Sequence, residues 1–195
     1  RSQPRAGGND TILWRSGDGP DTSIDGGSGA EDQLSLTLST LADVVTIFPA
    51  PNGGVSVLFG GILFPASNVE RLLLDLDRGA DTIEVADLGQ SVLERITLRL
   101  GADSAADEVT VRGSASDDVF SLDTVATPAD AIRVTRQGSV PIHIEQADAN
   151  SGGDRIHVDS GAGGDTINIL ATVAGTTTRV LTGAGPGPDT VHIGS

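Results

Sequence analysis

Residues 152–169 hold two copies of one short pattern, Gly152-Gly153-Asp154-Arg155-Ile156-His157-Val158 and then Gly163-Gly164-Asp165-Thr166-Ile167-Asn168-Ile169. In each copy a glycine turn and an aspartate precede a segment in which apolar and polar residues alternate. Glycine accepts the positive φ of a tight turn, and alternation is typical of a strand with one buried face. The stretch therefore predicts repeated turn-and-strand units.

The same unit recurs along the chain. Clear copies begin at Gly8, Gly79 and Gly187, and degenerate copies surround Asp21, Asp32, Asp107 and Asp118. Asp10, Asp21 and Asp32 are 11 residues apart, as are Asp107 and Asp118, and Asp154 and Asp165; Asp165 and Asp189 are 24 apart. Internal repetition of this kind is stronger evidence for the fold than any single motif. Spacings of 11 and about 25 predict that two turn-and-strand units make one circuit of the backbone.

The segments between the turns alternate with period two, as in 34–38, 96–100, 132–134 and 142–144. No segment has a convincing helical period, and 92–95 could form at most one helical turn. We expect a single repetitive all-β domain over residues 1–195, built as a parallel β-helix or β-roll of stacked coils. An antiparallel β-sandwich is the alternative, because short strands with turn signals suit that fold too.

Residues 42–68 depart from this rhythm. Apolar segments at 44–48, 55–59 and 62–65 are separated by turns containing Gly53-Gly54 and Gly60-Gly61. This pattern predicts two hairpin-like steps with tight glycine turns. The segment is interpreted as a hydrophobic insertion or cap, or as a contact face for another subunit.

Composition excludes several classes of function. The chain carries 12 Arg and no Lys against 27 Asp and Glu, a formal charge of −15, and it has no Cys. An acidic surface repels phosphate, so we expect no nucleic-acid partner, and divalent cations are attracted instead. Thiolate metal sites and disulfides are impossible. No stretch is apolar enough to suggest a membrane-spanning helix.

The glycine–aspartate turns resemble the calcium-binding repeats-in-toxin family. Ser160-Gly161-Ala162-Gly163-Gly164-Asp165-Thr166-Ile167-Asn168 matches that nonapeptide at two glycines, the aspartate and the apolar position. The resemblance covers about a third of the chain, at the turns, and the 11-residue spacing departs from the family's nine. It implies a β-roll with calcium between turns and a secreted or surface-attached bacterial protein. Similar degenerate turns look like those of very large, repetitive bacterial surface proteins.

Calcium requires six to eight oxygen ligands, and two stacked turns could supply them from carboxylates, backbone carbonyls and water. Aspartates that only stabilise their own turns are the alternative. The candidate ligands of Ca²⁺ are Asp10, Asp18, Asp21, Asp32, Asp81, Asp107, Asp118, Asp154, Asp159, Asp165 and Asp189.

Signals for catalysis are weak. No nucleophile elbow, zinc signature or phosphate loop occurs. Asp75 and Asp77 are expected on one strand face, where strand patterning alone explains them. His157 and His192 occupy the same place in their repeats, which predicts an outer, solvated face in register with Glu84 and Asn168.

Three functions remain open. The first is a structural or adhesive module of a secreted or surface-attached bacterial protein, a stiff calcium-stabilised rod that meets neighbouring copies or flanking modules and assembles end to end. Its surface could also hold a ligand such as a polysaccharide. The second is an enzyme acting on polysaccharides, and the third is a calcium-triggered folding segment that aids secretion. We expect a protein without catalytic activity.

Overall fold

The computed structural model describes residues 2–4, 7–19, 23–126, 131–147, 153–183 and 185–194. Within these ranges the protein is all-β, as the sequence predicts, with one short 3-10 turn at Pro51–Gly53. The residues of 92–95 form no helix, and Arg95 begins a strand. Asp21 lies outside the described residues.

Strands follow one another in short steps because turn residues interrupt every alternating segment. In chain order they are β1 (Ser2–Pro4), β2 (Thr11–Arg15), β3 (Ser23–Asp25), β4 (Gln33–Thr37), β5 (Val44–Pro49), β6 (Val55–Phe59), β7 (Ile62–Ser67), β8 (Arg71–Asp75), β9 (Thr82–Val85), β10 (Arg95–Arg99), β11 (Glu108–Arg112), β12 (Val119–Val125), β13 (Ala131–Arg136), β14 (Ile142–Glu145), β15 (Arg155–Asp159), β16 (Thr166–Ile169), β17 (Thr177–Leu181) and β18 (Thr190–Ile193).

The described strands form two large mixed sheets. Sheet A has the order β1-β3-β7-β6-β5-β9-β11-β15-β17, and sheet B has the order β2-β4-β8-β10-β14-β13-β12-β16-β18. Most neighbouring strands are parallel, and outside two antiparallel segments the chain passes alternately from one sheet to the other. The 11-residue spacing is thus the step from one sheet to the other, and the longer spacing returns the chain to the same sheet. An antiparallel sandwich does not predict this preponderance of parallel pairs.

Two antiparallel meanders interrupt the alternation. The first meander, β5–β6–β7, lies in sheet A between β3 and β9 and matches the hairpin-like steps expected within 42–68. The second meander, β12–β13–β14, lies in sheet B between β10 and β16. The alternation at 132–134 and 142–144 correctly predicts strands there, but nothing in the sequence pattern indicated that their direction reverses.

One apolar core fills the space between the sheets. Side chains alternate between the core and the outer faces along each strand, so in-register apolar residues stack inside. Leu34, Leu72, Ile96 and Ile142 form such a stack across four neighbouring strands, each at most 4% exposed. Trp14 of sheet B contacts the ring of Phe64 of sheet A edge-on, with centroids 4.8 Å apart, so the sheets share this core.

Close approach of the backbone explains glycine at the turns. A Cβ atom at Gly113, just after β11, would lie 2.1 Å from the backbone oxygen of Ser160, which follows the neighbouring strand β15. Real Cβ atoms do not approach that closely. Neighbouring turns therefore pack backbone against backbone, and only glycine fits at this position.

Candidate functional site

The repeated aspartates are brought into rows along the edges of the sheets. In sheet A the residues that directly precede β5, β9, β11 and β15 form row A, whose members are Asp43, Asp81, Asp107 and Asp154. The backbone N–H of each member donates to the carboxylate Oδ1 of the next, over N–O distances of 2.7, 2.8 and 3.0 Å. Row A therefore joins four neighbouring strands at the same height.

Sheet B carries two such rows, one on each side of the second meander. Row B1 contains Asp10, Asp32 and Glu70, and row B2 contains Asp118, Asp165 and Asp189. The N–H to carboxylate distances are 2.6 and 2.8 Å in row B1 and 2.9 and 3.0 Å in row B2. The polarity is the same in all rows, because each N–H donates to the member that comes later in the chain.

The position of the aspartate in the repeat explains this pairing. The backbone carbonyl of Asp107 accepts the N–H of Arg155, at 2.8 Å, which extends the parallel ladder by one residue before the strands begin. The N–H groups of Asp81 and Asp107 have no such main-chain partner among the described residues. A side chain with a short reach and an acceptor atom satisfies them, and aspartate has both.

Burial leaves half of each of several carboxylates without a partner. Asp32, Asp81, Asp107 and Asp165 are at most 1% exposed, and their Oδ2 atoms make no hydrogen bond within the structure. Such atoms carry a high desolvation cost when the group is ionised. The pKa of both Asp81 and Asp107 is raised from 3.8 to about 7, chiefly by burial and also by the charges of nearby carboxylates. The N–H bond that each accepts opposes these effects.

A proton on Oδ2 is one way to compensate this burial, and a cation is another. Among the described residues no group of three or more Asp, Glu, His or Cys side chains is arranged to hold a metal ion. The rows instead offer single, separated Oδ2 atoms, those of Asp32, Asp81, Asp107 and Asp165. A calcium ion at these points would therefore need most of its ligands from backbone carbonyls and water.

The structure brings most, but not all, of the predicted calcium ligands together. The rows contain Asp10, Asp32, Asp81, Asp107, Asp118, Asp154, Asp165 and Asp189. Asp18 is exposed and accepts the N–H of Arg15 in its own turn, at 3.0 Å. Asp159 ends β15 and pairs with Arg112 on the outer face of sheet A, at 2.7 Å.

Two row members were absent from the predicted set. Asp43 directly follows Leu41-Ala42 and lacks the preceding glycine of the repeat, and row B1 uses Glu70 in place of an aspartate. The signal for Asp43 was its position 11 residues after Asp32. Glu70 directly precedes a clear strand, and this placement was its only signal.

Row B2 ends beside a buried arginine that the sequence did not single out. Arg136, at the end of β13, is 10% exposed and donates from Nη1 to Oδ1 of Asp118 at 2.6 Å. Its Nη2 pairs with Asp87, which follows β9 of the opposite sheet. Oδ2 of Asp118 accepts the N–H of Ser114, at 2.6 Å. Both carboxylate oxygens of Asp118 thus have hydrogen-bond partners.

The other residues considered for chemistry are dispersed. Asp75 lies in β8, but Asp77 lies in the turn after it with a φ of 62°, so the prediction that they share a strand face is wrong. His157 stands in register with Thr110 and Glu84 of sheet A, whereas His192 stands opposite Asn168 of sheet B. The outer-face register is as expected, but His157 is only 8% exposed and is not solvated.

Comparisons of the chain with protein-family models, curated proteins and solved structures found no match. Within the described ranges, no helix has the length and apolar character needed to cross a membrane. The case for a function therefore depends on the geometry of the rows, the sheet ends and the outer faces.

Proposed function

We propose that the chain is a structural module, a β-helix-like stack of strand circuits that extends by adding further circuits of the same kind. Its context is a secreted or surface-attached bacterial protein, where stiff repetitive modules link or present other parts. The carrying observation is the directional hydrogen bonding of the aspartate rows. In row A the N–H that precedes one strand donates to the carboxylate that precedes the next strand, so each strand helps to position its neighbour in the sheet.

Strand β18 is an edge strand of sheet B, and its outer edge has no partner strand among the described residues. Asp189 accepts the N–H of Asp165, but its own N–H has no acceptor among the described residues. Val191 and Ile193 stand in register with Ile167 and Ile169 of β16, yet they are 42% and 78% exposed. An exposed apolar strand edge pairs readily with another strand.

The strand that fits this edge needs an aspartate followed by alternating apolar residues. The start of β2, Asp10-Thr11-Ile12-Leu13-Trp14, has that pattern and lies at the opposite edge of sheet B. In the proposed contact, β18 of one copy pairs in parallel with β2 of the next. Val191 and Ile193 then stack on Ile12 and Trp14. Copies then join head to tail.

Sedimentation velocity over roughly 10 µM to 1 mM tests this contact. We expect a concentration-dependent series of oligomers that Ile193→Asp removes, because a buried carboxylate at the contact is unfavourable. Leu41→Asp is the control, since Leu41 is 72% exposed in a turn away from both ends. A wild-type chain that stays monomeric throughout this range contradicts end-to-end assembly.

Calcium stabilisation is a second candidate, favoured by the unpartnered Oδ2 atoms of Asp32, Asp81, Asp107 and Asp165. At Asp81 and Asp107, whose pKa values are about 7, a cation would compete with protons, so its effect is expected to be large at pH 8 and small at pH 5. Thermal melting with calcium, with magnesium and with a chelator measures this. The same melting temperature in all three solutions at pH 8 would remove calcium from the proposal, along with its role as a folding trigger.

A further inference from the structure

Two arginines stand side by side on the outer face of sheet B. Gln33, Arg71 and Arg95 occupy one register position on the neighbouring strands β4, β8 and β10. Like charges directly opposite each other on a sheet are destabilising. In a protein with a net charge of −15 carboxylates are abundant, so a second arginine in this register without a carboxylate partner of its own is unexpected unless an anion meets it.

The surrounding arginines have anionic partners, but Arg95 does not. Nη2 of Arg71 lies 2.6 Å from Glu31, and Nε of Arg99 lies 3.1 Å from Glu145. Arg95 is exposed, and its guanidinium makes no hydrogen bond or ion pair with any residue that the structure describes. Its donors are therefore available to a ligand.

These side chains line a concave surface, the Arg95 groove. The groove has a volume of about 200 Å³, smaller than the pocket of a drug-sized ligand but sufficient for a small oxyanion, and its polar lining is Gln33, Arg71, Arg95, Thr97, Arg99 and Glu145. Gln33 and Thr97 add neutral donors beside the guanidinium groups. The walls belong to consecutive strands of a large sheet, so the donors are held by a rigid scaffold.

The charge of Arg95 acts on a histidine next to the groove. His143, on the neighbouring strand β14, has its pKa lowered chiefly by burial and then by the charges of Arg95 and Arg133. Glu145 and Asp123 also face it and act in the opposite direction, but more weakly. A neutral His143 adds a hydrogen-bonding group at neutral pH without adding charge.

We propose that the Arg95 groove binds an oxyanion, a carboxylate or sulfate group, with Arg95 as its principal partner. A guanidinium donates two parallel hydrogen bonds to such a group, and Arg71 lies one strand away to add charge. The oxyanion comes either from a free ion or from an anionic polymer that runs along the outer face. This inference does not rest on the assembly proposed above.

Two-dimensional ¹H–¹⁵N spectra of the labelled chain test the proposal, with sodium sulfate, sodium acetate and an oligogalacturonate as probes. We expect saturable shifts confined to the amides of Gln33, Arg95, Thr97 and their neighbours. Arg95→Gln should weaken binding at least tenfold. Arg179→Gln is the matched control, because Arg179 is an exposed arginine without an ion pair on sheet A.

The outcomes separate clearly. Binding of the oligogalacturonate more than tenfold tighter than that of either free ion supports the site with a polymer as its source. Comparable binding of all three supports it with a free ion as its source. Shifts spread over both sheets, equal losses in the two variants, or no saturable shift up to about 50 mM sulfate would overturn the proposal.

Discussion

Asp107 holds two carboxylate oxygens in different situations. Oδ1 accepts the N–H of Asp81, whereas Oδ2 is buried without a partner. Burial without a partner disfavours the ionised carboxylate, because its desolvation cost is much higher than that of the neutral carboxyl. Asp81 is in the same position one strand away. The row is therefore best satisfied when these groups carry a proton.

The raised pKa values predict that the fold is more stable in mild acid than in mild alkali. Between pH 3.8 and about 7 the folded state binds more protons at Asp81 and Asp107 than the unfolded chain does. Stability from these groups is therefore complete below pH 3.8, falls as the pH rises towards about 7, and then levels off. Urea unfolding at pH 5 and pH 8 should differ by on the order of 2–4 kcal/mol.

Asp107→Asn identifies the source of that dependence. The amide keeps an oxygen for the Asp81 N–H and resembles the protonated acid, so the variant should lose about half of the difference between pH 5 and pH 8. Asp18→Asn is the control, because Asp18 is an exposed aspartate whose carboxylate also accepts a backbone N–H, and the substitution likewise removes one charge. Equal pH dependence in the two variants and the parent chain would contradict the assignment.

Residues of the rows were largely predictable, and their protonation was not. The Gly-x-Asp pattern located Asp81, Asp154 and Asp165, and the 11-residue spacing to Asp118 located Asp107, because the same residue is needed wherever a turn leads into a strand. Which oxygen is buried depends on how closely the next turn packs over it. That is a property of the stacked backbone, on which the linear pattern carries no information.

Among the elements, the second meander is held by two ion pairs of one arginine. Arg136, at the end of β13, joins Asp118 of row B2 to Asp87 of the opposite sheet while being 10% exposed. This largely covered charge with two carboxylate partners holds the reversed strand in place, and removing it leaves the carboxylate of Asp118, 6% exposed, without its arginine partner. The cost of a buried unpaired charge is large.

Arg136→Met should therefore destabilise the fold by about 3–5 kcal/mol. Arg133→Met is the matched control, because Arg133 also lies on β13 and pairs with Asp123 but is 41% exposed. Exposed ion pairs contribute about 1 kcal/mol or less. Chemical denaturation at pH 7 measures both, and equal effects of the two substitutions would show that Arg136 has no special role.

The strands of the second meander were predictable, but their direction was not. Ile132-Arg133-Val134 alternates in the same way whether its neighbours run parallel or antiparallel, because both arrangements bury alternate side chains. The first meander was easier to recognise, because its paired glycines at 53–54 and 60–61 mark tight turns. Residues 127–130, between β12 and β13, lie outside the described ranges.

For the molecule as a whole, the protection of backbone amides from hydrogen exchange should decline towards the β18 edge of sheet B. All four residues of β18 are exposed, and the strand has one described neighbour, whereas β11 lies between two strands with its apolar residues buried. In dilute solution the amides of Thr190–Ile193 should exchange with deuterium at least about tenfold faster than those of Glu108–Arg112. Equal exchange would indicate that β18 is covered in a manner unlike the proposed contact.

The two meanders have a joint consequence for how this architecture can vary. Each adds a pair of strands to its own sheet and none to the other, and the described sheets still have equal numbers of strands, nine in each. The first meander adds two strands to sheet A, and the second adds two strands to sheet B, so the described sheets keep the same number of strands. A deletion confined to one of them would leave two strands with no opposite layer, so lineages of such proteins should gain or lose these meanders in compensating pairs.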